Sequence, residues 1–296
     1  MSDYYWDNKI DYLRRTRPLH HNDDYFEFLV EKVWRITEPV RLVDFGCGYG
    51  YLGLKLLPLL PEGSTYTGID EGMELLAHAS SLFSELPYET NFIAGDVTHL
   101  VCEPQYDIAI SHAFLMHMQD PQATLQIMID SVIDGGKVIC IESNWVACMA
   151  GYYVDGVDQS KIVDVGLLQK LFERDTKRVG KDGNIGSKLP VYMSKLGLTQ
   201  IESRVSDKVL FLNPNGDADV HAEMLASMRT DGGFGASPGD TEPFIKGLMS
   251  RGCTIEEANR QYENELRLSQ LIDSNSFVTH APGMRFTFGT VQRSKI

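Results

Sequence analysis

The hydrophobic pattern of the chain alternates between short, continuous apolar runs and longer stretches with helical spacing. In the longer stretches, leucines recur every three or four residues, as on one face of an α-helix. Strands that alternate with helices, and that are apolar throughout, are typical of parallel sheets covered on both faces. The sequence therefore predicts an α/β fold with a doubly wound, mostly parallel sheet and strands at residues 40–45, 65–69, 91–94, 107–111 and 137–141.

The regular alternation weakens after residue 142, where two more strands are predicted at 198–205 and 285–291. They bring the predicted sheet to seven strands. About eighty residues separate the two strands, and a compact domain rarely contains so long a loop without structure. Thr254 and Glu257 have the spacing of a capping box that begins a helix. We therefore divide the chain into a helical N-terminal arm at 1–38, a core at 39–206 and 284–296, and a helical cap insertion at 207–283.

Glycines at every second position follow the first predicted strand. Asp44 ends the strand, and Gly46, Gly48 and Gly50 come after it. Backbone without a Cβ atom can approach a ligand closely, and such a loop delivers the ligand to the N-terminus of the next helix. The pattern predicts a loop that binds a cofactor.

The same loop also matches the dinucleotide-binding pattern Gly-x-Gly-x-x-Gly at 48–53, with Asp70 at a distance suited to a ribose hydroxyl. Three features favour a different cofactor. Asp44 and Gly46 precede the motif, Asp96 places a second carboxylate after the third strand, and the chain closes with two strands separated by an insertion. A nicotinamide dinucleotide stays open as the weaker alternative.

Residues 40–142 resemble the class I S-adenosylmethionine-dependent methyltransferases, and within them the small-molecule enzymes of the ubiquinone and menaquinone biosynthesis type. The resemblance is carried by the glycine loop at 43–50, Gly-Ile-Asp at 68–70, Gly-Asp-Val at 95–97 and the fourth-strand segment at 106–112. It implies a Rossmann-like methyltransferase fold and an enzyme that methylates a small molecule on oxygen, nitrogen or carbon, with S-adenosylmethionine as cofactor. The residues implied to bind the cofactor are Asp44, Gly46, Cys47, Gly48, Gly50, Asp70, Glu71, Asp96, Val97 and His112.

The resemblance also implies roles for single residues. The loop backbone carries the methionine end of the cofactor, Asp70 binds the ribose hydroxyls, and Asp96 accepts from the adenine amino group. His112 is a candidate general base, because imidazole can take a proton from a hydroxyl or amine near neutral pH. Ordering the cofactor by packing or hydrogen bonding is the other interpretation of His112, and both stay open. His117 is expected to be structural or to line the substrate pocket.

Aromatic residues outside the common core are candidates for the acceptor site. They come from the arm and from the segment after the fifth strand, and aromatic walls suit a flat or apolar molecule. Plain packing is an equally good interpretation for each residue taken singly. The candidate substrate residues are Tyr5, Tyr12, Arg14, Trp145, Tyr152 and Tyr153.

The charge of the chain limits its partners. There are 27 Lys and Arg against 41 Asp and Glu, a net charge of -14, whereas nucleic-acid binders need a basic face. We therefore expect a small-molecule partner. Methylation of a protein or a tRNA, or cofactor binding without turnover, are the alternatives, and the oligomeric state stays open.

Cysteine spacing and hydropathy narrow the setting. The five cysteines form no Cys-x-x-Cys pair, so no metal site is predicted. Every apolar run is far shorter than the roughly 20 residues of a membrane helix, and no signal peptide is recognised. We expect a cytoplasmic protein without a membrane partner.

Overall fold

The strands were located in a computed structural model that describes residues 4–100, 103–231 and 236–293. Ten strands run through these residues. They are β1 (Arg41–Phe45), β2 (Thr65–Asp70), β3 (Glu89–Ala94), β4 (Tyr106–His112), β5 (Val132–Glu142), β6 (Tyr152–Val154), β7 (Thr199–Val205), β8 (Leu210–Leu212), β9 (Val278–His280) and β10 (Arg285–Thr290).

Seven strands form the central sheet in the order β3-β2-β1-β4-β5-β10-β7. The pairs from β3 to β5 are parallel, whereas β10 is antiparallel to both β5 and β7. This arrangement confirms the predicted fold class. Because the carboxyl ends of the parallel strands meet at one edge, the loops that follow β1, β2 and β4 are brought together there.

Helices cover the sheet and build the parts around it. Asp120 and Thr254 begin two of them by accepting hydrogen bonds from backbone N–H groups of the first turn, and the capping box predicted at Thr254 is present. The α-helices within the described residues are α1 (Ile10–Thr16), α2 (Asp23–Phe28), α3 (Tyr51–Leu56), α4 (Met73–Ser84), α5 (Pro121–Asp130), α6 (Trp145–Ala150), α7 (Val165–Val179), α8 (Leu189–Lys195), α9 (Ala218–Thr230), α10 (Thr241–Ser250) and α11 (Ile255–Leu271).

Two apolar clusters pack against the two faces of the sheet. Successive side chains of β1 point to opposite faces of the sheet, so Leu42 packs in one cluster and Val43 and Phe45 pack in the other. The N-terminal arm adds Leu13 and Phe26 to the cluster that holds Leu42. The arm is therefore part of the packed core, next to the carboxyl edge of β1 and β4.

The insertion between β7 and β10 differs from the purely helical prediction. It holds α9, α10 and α11, but it also contains β8 and β9, and β9 pairs with β6 on one side and β8 on the other in a small antiparallel sheet of order β6-β9-β8. Strands of three residues carry too little periodicity to be recognised in a sequence. Residues 232–235 of the insertion, and 294–296 of the predicted core, lie outside the described residues.

Candidate functional site

The glycine loop after β1 has an unusual backbone. Gly46, Gly48 and Gly50 have φ angles of 71°, 56° and 83°, which residues with a Cβ atom rarely adopt. The N–H groups of Gly46 and Cys47 donate to the Ile69 carbonyl at 2.8 and 3.1 Å. The loop is thus tied to the end of β2 in a single conformation.

Replacing Gly46 by alanine is expected to be costlier than the same change at Gly48. A Cβ at Gly46 would lie 2.2 Å from Phe114, whereas at Gly48 the nearest atom is 3.8 Å away on Leu13. Both changes place a Cβ atom on a residue with positive φ and therefore carry similar backbone strain. The difference between their effects on stability reports the clash with Phe114. We expect G46A to lower the free energy of unfolding by about 1–2 kcal/mol more than G48A, as measured by urea denaturation. Equal losses would contradict the contact with Phe114.

Asp44 lies beneath this loop and is 1% exposed. Its Oδ2 accepts a hydrogen bond from the Tyr66 hydroxyl at 2.7 Å, while its buried Oδ1 has no hydrogen-bond partner among the described residues. Burial raises the pKa of Asp44 to about 7, against the opposing effect of the Tyr66 hydrogen bond. A cationic N–H donor on a ligand would satisfy this carboxylate and favour its charged form.

The cavity above Asp44 is small and is closed by the N-terminal arm. It has a volume of about 20 Å³. We call it the loop pocket, and its walls include Arg17, Asp44, Gly46, Cys47, Gly48 and His112.

Asp70 connects the end of β2 to the glycine loop. Its Oδ2 accepts from the Gly48 N–H at 2.8 Å and its Oδ1 accepts from the Gly72 N–H at 2.9 Å. Burial raises the pKa of Asp70, and backbone hydrogen bonds from Gly72, Gly48 and Glu71 oppose that rise. A carboxylate has about four acceptor positions, so one is left for a hydroxyl group of a ligand.

Two further acidic residues lie beside each other at this edge. The side chains of Glu71 and Asp96 are within hydrogen-bonding range. Asp96 also accepts from the Thr98 N–H at 2.8 Å and pairs with His99 at 2.8 Å, while Val97 is buried. The predicted nucleoside residues Asp70, Glu71, Asp96 and Val97 are thus on adjacent loops.

The arm reaches the same edge through Asp7. The Asp7 Oδ1 accepts from the N–H groups of Glu74 and Leu75 at 3.1 and 3.2 Å, which caps the first turn of α4. Burial raises the pKa of Tyr4, and the negative charge of nearby Asp70 is the second cause of this rise. The arm therefore covers the predicted nucleoside side as well as the loop pocket.

His112 ends β4 and faces a second histidine that the sequence analysis did not single out. The Nε2 atoms of His112 and His21 lie 2.7 Å apart, so one ring donates and the other accepts. Both rings are buried, and burial lowers the pKa of each. The pair is neutral near pH 7, and the Nε2 of His112 is engaged by the arm.

A second cavity adjoins the loop pocket at the ends of β4 and β5. It measures about 80 Å³, and Leu13 and Arg17 line both cavities. Burial lowers the pKa of His117 to about 4, so this residue is neutral near pH 7. We call this cavity the edge pocket, and its walls include Trp6, Tyr12, Arg17, His117, Ser143 and Trp145.

Glu142, at the end of β5, holds the segment that leads to His117. Its carboxylate accepts hydrogen bonds from the N–H groups of Phe114, Leu115 and Met116 at 3.0, 2.8 and 3.4 Å. Glu142 is fully buried, and burial raises its pKa to about 7. Sequence reasoning missed this residue, because one glutamate at the end of a strand carries no distinctive pattern.

The structure divides the predicted substrate residues into two groups. Tyr12 and Trp145 line the edge pocket, whereas Tyr5, Arg14, Tyr152 and Tyr153 line neither cavity. Neither cavity supports a substrate role for these four residues, and their role stays a prediction. Tyr5 is 63% exposed, and Arg14 is exposed on α1.

The two β6 tyrosines follow the alternation of a strand. Tyr152 points inward, is 4% exposed and has its ring 4.0 Å from that of His280. Tyr153 points outward, is 57% exposed and donates to Asp155.

Arg17 was missed in favour of Arg14. Leu13 and Arg17 are four residues apart and therefore share the inward side of the arm, whereas Arg14 is turned away by about 100° from Leu13. The spacing of Leu13, Arg17 and His20 was the available signal, since all three line the edge pocket.

The strand order, with antiparallel β10 between β5 and β7, and the glycine loop after β1 define a Rossmann-like methyltransferase fold. Residues 36–175 match the family model described as a methyltransferase domain. Over these 140 of its 296 residues, the chain is similar to methyltransferase domains. The match agrees with the predicted resemblance, and the enzyme class and the cofactor S-adenosylmethionine stay predictions.

Three similar proteins illustrate the match. The ubiquinone biosynthesis O-methyltransferase of Salmonella typhi is 27% identical over 155 residues, which are 50% of this chain and 61% of that protein. Phosphoethanolamine N-methyltransferase 2 of Haemonchus contortus, solved with S-adenosyl-L-methionine, has a TM-score of 0.54 at 14% identity and covers 99% of this chain and 58% of its own. The [4+2]-cyclase SpnF has a TM-score of 0.52 at 14% identity, covering 97% and 95%.

These comparisons have a limited reach. The chain spans about 61% of the length of the curated relative, and the two solved structures, at 14% identity, show the fold. A shared fold can support different chemistries, so the acceptor has to be argued from the site.

In the part of the chain that the structure describes, no helix combines the length and apolar character needed to cross a bilayer. Nor do three or more His, Cys, Asp or Glu of that part come together in a group that could hold a metal ion. The described cysteines are buried and free, namely Cys47, Cys140, Cys148 and Cys253.

Proposed function

We propose that this chain transfers a methyl group from S-adenosylmethionine to a small-molecule acceptor bound in the edge pocket. The observation that carries the proposal is the buried Oδ1 of Asp44, which lacks a partner among the described residues and lies under the glycine loop. The ammonium group of the cofactor's methionine end is a donor of the required charge. The family match and the adjoining edge pocket support the same proposal.

The proposed cofactor site extends along the carboxyl edge of β1, β2 and β3. Asp44 and the backbone of Gly46, Cys47, Gly48 and Gly50 would hold the methionine end. Asp70 and Glu71 would hold the ribose, and Asp96 and Val97 the adenine. The acceptor position left on Asp70 can take a hydrogen bond from a ribose hydroxyl.

The arm must shift outward for a cofactor to bind. The loop pocket measures about 20 Å³, whereas ligand sites usually occupy roughly 300–1,000 Å³. Leu13 and Arg17 of the arm close it from above. We therefore propose that the arm at 1–38 is a cover whose return excludes water from the reacting groups.

When bound, S-adenosylmethionine supplies an electrophilic methyl group on sulfur. The chain contributes orientation and exclusion of water, which account for much of the rate in such displacements. His117 is neutral and lines the edge pocket, so it is placed to accept a hydrogen bond from an acceptor hydroxyl or amine. Because the Nε2 of His112 is held by His21, we propose that His112 positions the arm and the cofactor.

The setting of the protein is also a proposal. Free buried cysteines are typical of a reducing compartment, which supports the cytoplasm. The net charge of -14 disfavours a nucleic-acid acceptor. We propose the division into arm, core and cap as described, with the cap extended by β6.

Calorimetric titration with S-adenosylmethionine, S-adenosylhomocysteine and NAD side by side tests the cofactor. We expect the two sulfur compounds to bind and NAD to give no heat, because Asp44 and Gly46 precede the dinucleotide motif. NAD binding alone would overturn the proposal.

Turnover is then measured as release of S-adenosylhomocysteine in the presence of small apolar hydroxyl and amine compounds. Release that depends on one of these compounds supports the proposed acceptor class. Release only with a protein or tRNA acceptor would replace it, and tight cofactor binding without any release would indicate a binding protein.

A further inference from the structure

A large cleft lies beside the edge pocket, between α7, α10 and α11. Its volume is about 770 Å³, against about 80 Å³ for the edge pocket. Tyr12, Trp145 and Asp231 line both. The cleft, which we call the cap cleft, therefore adjoins the site proposed for methyl transfer.

The difference in volume between the cap cleft and the edge pocket limits which part of the acceptor each can hold. A cavity of about 80 Å³ is well below the roughly 300–1,000 Å³ of typical ligand sites, so it accommodates little more than the group that receives the methyl. The rest of a larger acceptor has to lie elsewhere. The cap cleft has the volume of a complete ligand site and begins at residues of the edge pocket.

Most of the cap cleft is apolar. Leu171 and Phe172 of α7, Phe244 and Leu248 of α10, and Leu268 of α11 contribute to its walls. Such walls favour an aliphatic chain or a ring system, because burial of apolar surface gains about 25 cal/mol per Å². The cleft is thus suited to the apolar part of an acceptor.

One polar pair interrupts these walls on α11. Gln261 is 4% exposed, and its side-chain nitrogen donates to Glu265 at 2.7 Å. Its Oε1 is buried and has no hydrogen-bond partner in the described part of the chain. A buried acceptor without a donor costs stability unless a ligand supplies one.

The positive groups of the cleft already have a carboxylate partner. Arg251 donates twice to Asp175, at 2.9 and 2.7 Å, and Arg178 donates to the same carboxylate at 3.0 Å. The available polar atoms at Gln261 and Glu265 are hydrogen-bond acceptors. An anionic group placed at this pair would face the carboxylate of Glu265, whereas a hydroxyl or amine would donate to the pair.

We propose that the cap cleft binds the distal part of the acceptor, an apolar chain or ring system with a hydroxyl or amine that donates to Gln261 or Glu265. The inference rests on the proposed methyl transfer and adds to it the chemical class of the acceptor. It predicts a bipartite acceptor, with the methylated group in the edge pocket and a second polar group at the far end of an apolar body.

Gly247 offers a way to fill the cleft without disturbing the fold. It lies on the α10 face that lines the cleft together with Phe244 and Leu248, and a Cβ built on it meets no atom within 4 Å. Replacing a helical glycine by leucine also favours the helix. Gly247→Leu should therefore obstruct the cleft in a protein at least as stable as the wild type.

The first test uses N-phenyl-1-naphthylamine, a neutral dye whose emission rises in apolar surroundings. We expect Gly247→Leu to weaken dye binding at least about tenfold and to leave S-adenosylhomocysteine binding unchanged. Gly166→Leu, an exposed glycine in the first turn of α7, is the matched control and should bind the dye normally. Absence of dye binding by the wild type, or equal binding by both variants, overturns the proposal.

The second test compares two displacers of the dye that have the same atoms in different order, decan-1-ol and 1-methoxynonane. Only the alcohol can donate a hydrogen bond, so we expect it to displace the dye at least about tenfold better from the wild type. Gln261→Met combined with Glu265→Met removes both acceptors and should abolish this preference, while Gln270→Met, exposed on the same helix, should keep it. Equal displacement from the wild type overturns the polar part of the proposal.

Failure of the proposed methyl transfer and failure of the proposed role of the cap cleft give different results. If S-adenosylhomocysteine does not bind the wild type, the proposed methyl transfer is wrong, whatever the dye does. If it binds equally to the wild type and Gly247→Leu, and the dye does so too, only the role of the cap cleft is wrong.

Discussion

Asp70→Ala is expected to weaken the binding of S-adenosylhomocysteine by about 2–4 kcal/mol, a roughly 30- to 700-fold rise in Kd. The change removes the acceptor proposed for the ribose hydroxyls. It also releases the N–H groups of Gly48 and Gly72, which donate to Asp70 at 2.8 and 2.9 Å. The glycine loop is then left with one tie fewer to β2. Calorimetric titration at fixed ionic strength measures the loss.

Asp96→Ala is the matched comparison for this prediction. The Asp96 side chain is 36% exposed, and its partners Thr98 and His99 lie on the surface. Its removal is expected to weaken binding by less than about 1.4 kcal/mol, or tenfold, because exposed polar contacts contribute little. If Asp70→Ala bound the ligand as tightly as the wild type, the placement of the ribose would be wrong. If Asp96→Ala had the larger effect, the adenine side would dominate binding.

The parts of the site that the sequence predicted share a physical property: each is determined by local chemistry. Asp44 and the alternating glycines identify a loop with positive φ angles, because few other residues adopt them. The apolar runs identified the parallel strands, because strands buried on both faces are mostly apolar along their length. The capping box at Thr254 is likewise local, and the structure contains it.

The parts that the sequence did not predict depend on contacts between distant segments. His21 contacts His112, which lies 91 positions away in the chain, and no local sequence pattern at either residue predicts this contact. β6 forms only because β9 supplies its partner more than a hundred residues later. Arg14 was predicted and Arg17 was missed, because seven residues define the phase of a short helix poorly. Tertiary packing determines these three features, and it cannot be recognised in the pattern of a single sequence.

Glu142 holds the backbone segment that places His117 in the edge pocket. Glu142 accepts three backbone N–H groups from 114–116, and this segment carries the chain to His117 in the edge pocket. Burial raises its pKa to about 7, well above the value near 4.3 expected in an unfolded chain. The folded protein therefore holds this proton more tightly than the unfolded one. The stability that results is present in full below about pH 4.5 and is lost as the pH rises through 7.

Glu142→Gln removes this titration and keeps the size of the side chain. We expect the free energy of unfolding of the wild type, relative to that of the variant, to fall by about 2–3 kcal/mol between pH 5 and 8.5. Urea denaturation of both proteins across this range measures it, and the other titrating groups largely cancel in the difference. Glu89→Gln, at an exposed position of β3, should show no such trend. A flat difference for Glu142→Gln would mean that its three N–H donors keep the carboxylate charged throughout, and an increase with pH would reverse the sign of the argument.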